Sequence, residues 1–197
     1  MFWKPFISGV FIKAVTAFDD VMIHVPVAAN ASDTKFGRIA FSIGVILAIT
    51  LAILFSFVLA SFIKGIPNHR EILAGAIIFI ALSIYFEWFD GKEPKKKVKS
   101  HAKKISKFPI HVSLKPLLIS FLIVFMTLID DIVAYSSLFL GTTISTFYAI
   151  LGIFAMTFVE VGIIIYFSEK VSKFQYKKEI TFIGLLIVSA MILSGVL

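Results

Sequence analysis

The chain has 197 residues, of which 59% are hydrophobic and only 16% charged, and it contains no cysteine; its mean hydropathy is +0.98. Soluble domains carry nearer a quarter charged residues, so the composition argues for a membrane protein, and the missing cysteines exclude disulfides, zinc–thiolate sites and thiol redox chemistry. The formal charge of +7 does not indicate nucleic acid, because eight of the 19 Lys and Arg fall in one hydrophilic stretch, 92–107. Such a stretch is a solvated loop of positive-inside character, or a contact for anionic lipid headgroups.

In chain order the apolar runs are 6–29, 41–63, 72–89, 116–140, 147–167 and 180–197. Each approaches the ~20 residues a helix needs to cross a bilayer. The first run is followed by a small-x-small triplet, Ala29-Asn30-Ala31, but Lys13, Asp19, Asp20 and His24 precede it. A removable leader has no such polar groups in its apolar region, so the run is read as a retained span. The predicted fold is therefore an all-α polytopic membrane protein with six transmembrane helices. A first three-helix repeat covers 1–90, a basic loop 91–115, and a second repeat 116–197. Placing that loop in the cytoplasm assigns fourteen Lys and Arg to the cytoplasmic segments and three to the external ones. Both termini are then outside a cell (inner or plasma) membrane crossed several times.

Two runs break the apolar pattern in the same way. TAFDDV (16–21) and TLIDDI (127–132) each place a Thr three residues before an adjacent Asp pair, 111 residues apart. Each motif lies in the first span of a three-span half. Three is odd, so the halves enter the membrane in opposite directions: an inverted repeat, which in many transporters puts the site near the midplane. An ionised Asp at the bilayer centre costs about 2.5–3.5 kcal/mol on insertion scales, so four of them demand a function.

Residues three and four apart share a helix face. Thr16, Asp20 and His24 form one stripe with Lys13 a turn earlier, and Thr127, Asp131 and Tyr135 form the matching stripe. Asp19 and Asp130 point about 100° away, towards another helix or into the site through local unwinding. Pro26, which cannot bond the carbonyl of Met22, favours unwinding in the first half, and the second half has no equivalent proline.

Carboxylates, Thr hydroxyls and a freed carbonyl suit hard or borderline divalent cations. Asp19, Asp20, Asp130, Asp131, Thr16 and Thr127 are the candidate ligands. Met22 and Met126 are candidate thioether neighbours or plain core. His24 is a ligand, a proton acceptor or a structural histidine. Tyr135 is accessory, and Glu160 in TFVEVG guards the inner route or adds a fifth acid. The alternative for the acid pairs is a polar clamp to Thr, Ser or Lys13 with no transported ion. Gly44, Gly75, Gly152, Gly162 and Gly184 are expected to permit close helix packing.

The motifs TAFDDVMIHVPVA and TLIDDIVAYSSLF in two three-span halves resemble the lysine-exporter (LysE) superfamily. They are most similar to cadmium-resistance (CadD-type) transporters, and more distantly to tellurium-resistance (TerC-type) proteins and Golgi-type calcium/manganese transporters. The resemblance implies export of a divalent cation with Asp19, Asp20, Asp130 and Asp131 as coordinating acids. The chain departs from those patterns in lacking a cysteine to favour cadmium and in having a second Asp where the tellurium-type motif has Asn.

The expected function is thus a secondary-active exporter of a divalent cation of the Mn/Ca/Cd class, with proton or sodium as counter-ion. It is not an enzyme and has no prosthetic group; the metal is substrate. Nothing resembles a nucleotide-binding loop. The competing readings are export of an organic cation such as a basic amino acid, and an intramembrane aspartyl-type enzyme whose two acids share a proton.

Overall fold

The computed structural model describes residues 2–31, 35–86, 117–118, 121–122, 124–125, 128–172 and 177–196, without the side chains of 18–31, 35, 36, 38, 167–172, 177 and 178. Among these residues the chain is all-helical. The helices are α1 (Trp3–Ala31), α2 (Lys35–Lys64), α3 (His69–Tyr85), α4 (Ile129–Leu138), α5 (Thr143–Ser172) and α6 (Lys177–Leu193). The basic loop 91–115 lies outside the described residues.

The helix ends follow local chemistry. Pro5 sits in the first turn of α1, where a missing N–H costs nothing. Gly65 and Pro67 close α2, and Asn68 turns the chain through the left-handed region at φ 57° before α3. At the end of α6, Gly195 adopts φ 71°. Its N–H bonds the Ile192 carbonyl at 3.1 Å and that of Val196 bonds Met191 at 3.0 Å. This is the double bond of a Schellman cap, which a glycine adopts without strain.

Two differences from the sequence expectation concern the motif helices. Helix α1 is continuous through Asp19, Asp20 and Pro26, so the unwinding expected there is absent; one lost backbone bond is outweighed by the packing of a 29-residue helix against its neighbours. In the run 116–140 the described residues 117–118, 121–122 and 124–125 are helical, Leu128 forms a turn, and α4 starts at Ile129.

Helix pairing follows a pattern that survives exchange of the two halves. Helix α1 packs chiefly on α5, and its counterpart α4 packs on α2; α1 also meets α6 as α4 meets α3, while α3 pairs with α6 and α1 with α4 across the centre. Directions are consistent with an up-and-down bundle. Phe2 stacks near Tyr148 and Lys13 reaches Glu160, so α1 and α5 run parallel. Tyr85 meets Phe182, and Ser189 donates to the Ala74 carbonyl at 3.2 Å, so α3 and α6 run antiparallel.

Close approach depends on particular glycines. A Cβ on Gly9 would strike the Ala149 carbonyl, and one on Gly152 would strike the carbonyl of Phe6, so α1 and α5 touch backbone to backbone. Gly184 accommodates the Val15 side chain in the same way. Gly75 and Gly162 meet nothing within 4 Å, which corrects the expectation that they serve packing.

Among the described residues two helices are long and apolar enough to cross a membrane, over Ile39–Lys64 and Thr143–Tyr166. They are the second helices of the two halves. Their outward faces carry bare apolar side chains, among them Leu54, Phe62, Ile144 and Phe158. Polar and charged groups are buried instead: Lys13, Thr16, Asp131 and Glu160 are each at most 2% exposed.

Candidate functional site

The site is built where α1, α4 and α5 meet. Helix α4 begins at Ile129, which places Asp130 and Asp131 in its first turn. There the unpaired N–H groups and the positive end of the helix dipole favour a carboxylate. The helical step separates the two acids. Asp131 is fully buried and Asp130 only partly so. Tyr135, one turn further along the same stripe, is also fully buried.

Helix α5 brings Glu160 to the same place, and α1 brings Lys13. The Lys13 ammonium lies 3.0 Å from Glu160 Oε2 and 3.4 Å from Asp131 Oδ2, with all three side chains at most 1% exposed. Three helices therefore converge on one ammonium. A charged triad in an apolar interior is tolerated only when its members neutralise one another at contact distance. The net charge of the three groups is −1.

Acceptor capacity remains at the site. Asp131 Oδ1 and the Tyr135 hydroxyl are buried without a full hydrogen bond among the described residues, while the Tyr135 hydroxyl feels the charges of Asp131, Lys13 and Glu160. Thr16, one turn after Lys13, is buried, and its hydroxyl lies 3.3 Å from the carbonyls of Ile12 and Lys13. Its bond is thus satisfied within its own helix, leaving lone pairs but no free donor. On the far side of α4, Ser56 of α2 bonds the Ile132 carbonyl at 3.0 Å, fastening the residue next to Asp131.

The sequence-predicted residues divide into three groups. Asp131, Tyr135, Glu160 and Thr16 lie in the buried core around the triad or within a turn of it. Asp19, Asp20, Met22 and His24 are placed on the continuous helix α1, their side chains outside the description, and Met126 and Thr127 lie outside the described residues. Asp130 is beside the triad in sequence but turned off its stripe. Among the described residues no three of His, Asp and Glu come together; the third member of the cluster is a cation, Lys13.

Lys13 was absent from the expected ligand set. Its signal was present: a lysine inside FISGVFIKAVTAF, three residues before Thr16 and seven before Asp20, demands a buried acid as partner. A surface cleft lined by Phe57, Lys64, Phe139 and Thr146 lies at the ends of α2 and α4 and does not reach the triad. Comparison with known protein families, with curated proteins and with solved structures finds no match for this chain.

Proposed function

We propose that the chain is a six-span, inverted-repeat membrane transporter that moves a divalent cation through a site centred on Asp131, driven by exchange with protons or sodium. One observation carries this reading: helices from both halves converge in the interior on a cation, the Lys13 ammonium, held between Asp131 and Glu160. A protein that seats a positive charge there, and keeps a second Asp131 oxygen without a partner among the described residues, has the donor chemistry for a hard or borderline metal ion.

Three features support the membrane setting. The outward surfaces of α2 and α5 are apolar while the charges are buried, the reverse of a soluble protein. Helices α1 and α5 run parallel and α3 and α6 antiparallel, and the helix pairings match when the halves are exchanged, as expected of an inverted repeat. The resemblance to lysine-exporter-type motifs adds the direction, export, and Asp20 as the partner acid from the first half. The basic loop then faces the cytoplasm and both termini face outward.

The triad itself favours a second reading, a permanent clamp in which Lys13 holds α1 to α4 and α5 and no ion moves. Thermal unfolding of the purified protein with added Mn²⁺, Ca²⁺ or Cd²⁺ separates the two. Transport predicts that at least one of these ions stabilises the wild type, by about 2.7 kcal/mol at a hundredfold excess over Kd, and that Asp131→Asn abolishes the gain. A clamp predicts no stabilisation by any of the three ions.

A further inference from the structure

We propose that Lys13 is the resident counter-cation of the site: its ammonium holds Asp131 in the empty state and withdraws onto Glu160 when the cargo cation binds Asp131. This inference rests on the cation-site reading above and assigns Glu160 a different role from that of a cargo ligand.

The two contacts of Lys13 are unequal. The ammonium is 3.0 Å from Glu160 and 3.4 Å from Asp131, so the looser contact is to the acid that the repeat supplies. Asp131 carries an oxygen without a hydrogen-bond partner among the described residues, and the buried Tyr135 hydroxyl stands beside it. An incoming metal ion therefore finds Asp131 part-prepared, and repels the ammonium from that same carboxylate. A lysine, with a point charge on a flexible four-carbon arm, can make so short a move. The lysine keeps its proton throughout; the exchange moves a charge within the protein and forms no bond.

The repeat gives an independent argument. The 111-residue offset that maps Asp20 onto Asp131 maps Lys13 onto Val124, a buried apolar residue. Helix α2, the counterpart of α5, contains no acidic residue at all. Lys13 of the first half and Glu160 of the second thus meet at the α1/α5 interface, and the equivalent α4/α2 interface has no such pair. A cargo ligand inherited with the repeat would be expected in both halves. A pair of opposite charges formed between the halves at one of the two equivalent interfaces only is self-neutralising, which suits a built-in counter-ion and its resting place.

Mn²⁺ binding to the purified full chain, measured by loss of the free-ion paramagnetic signal, tests the proposal through a mutant cycle. Lys13→Met is expected to tighten Mn²⁺ binding roughly tenfold or more, within the usual range of coupling between two ligands of one site. Glu160→Gln, which removes the charge onto which the ammonium withdraws, is expected to weaken binding. In the charge-balanced double variant Lys13→Met/Glu160→Gln, the weakening disappears and binding is as tight as in Lys13→Met alone. The double variant also guards against misfolding of Lys13→Met, because it keeps the net charge of the wild-type triad. Weakening by Glu160→Gln of equal size with and without Lys13 would make Glu160 a cargo ligand and overturn the proposal. Unchanged or weaker binding in both the Lys13→Met and the double variant would make Lys13 a structural clamp and overturn it as well, leaving the cation site intact. Absence of Mn²⁺ binding in the wild type and every variant overturns both the site and its counter-ion.

Discussion

The two motif helices carry the same Thr–Asp-Asp pattern, yet the molecule holds them in different ways. Helix α1 is pressed against α5 backbone to backbone at Gly9 and Gly152 and is pinned by the Lys13–Glu160 ion pair. Helix α4 rests on α2 through rings and a hydroxyl: Phe57 stacks on Phe139 at 4.6 Å, Phe55 tilts against Phe125 at 6.3 Å, and Ser56 bonds the Ile132 carbonyl. Backbone contact between close helices admits little sliding, because each atom is fixed by its own helix. Ring-to-ring contacts depend on side-chain rotamers as well as on the helix axes. Of the two acid-bearing helices, α4 is therefore the one held by side chains, and it carries the buried Asp131.

The sharpest way to break that contrast is at Gly152. Gly152→Val drives a branched side chain into the Phe6 carbonyl and is expected to cost about 3 kcal/mol or more by overpacking. In thermal unfolding in detergent this appears as a large fall in Tm or loss of folded protein. A near-neutral result would mean that the α1/α5 contact is not rigid. On the opposite interface, Ser56→Ala removes one bond to the Ile132 carbonyl, and a loss of about 1 kcal/mol is expected, readable as a small drop in the same experiment. The mildest change is Gly162→Ala on α5, where a new Cβ meets nothing within 4 Å. There the gain in helix propensity predicts unchanged or slightly raised stability, by up to about 1 kcal/mol. A loss comparable to that of Gly152→Val would show that the outer face of α5 is also packed.

Most of the helical layout could be read from sequence, because a run of about 20 apolar residues has few alternatives to a helix when no water is available to its backbone. Helices α2 and α5 match the expected runs closely at their cores. The start of α4 was not legible: 116–140 is apolar almost throughout, and nothing local marks Leu128 as the turn before the acid pair. The expectation of unwinding at Pro26 misjudged the balance, since a proline weakens one bond whereas the packing of α1 on α5 and α6 acts along much of its length.

The site was partly legible. The stripe through Asp131 and Tyr135 follows from the helical period alone, and both residues are fully buried. Glu160 stood out as an acid inside an apolar span. Its pairing with Lys13, 147 residues earlier in the chain, is a matter of tertiary approach that spacing within a helix cannot reveal. Lys13 itself reads from sequence as a neighbour of Thr16 and as a clamp partner for the acid pairs, not as part of the ligand set. The glycine contact at Gly9 and Gly152 brings α1 close to α5, and the ammonium lies between the acids of α5 and α4.

The central claim, that Asp131 carries a divalent cation through the bilayer, is tested most directly by transport. Purified protein reconstituted into liposomes should move Mn²⁺ down an imposed proton or sodium gradient, and Asp131→Asn should reduce the rate to that of empty liposomes. Mn²⁺ flux through Asp131→Asn equal to that of the wild type would contradict the account.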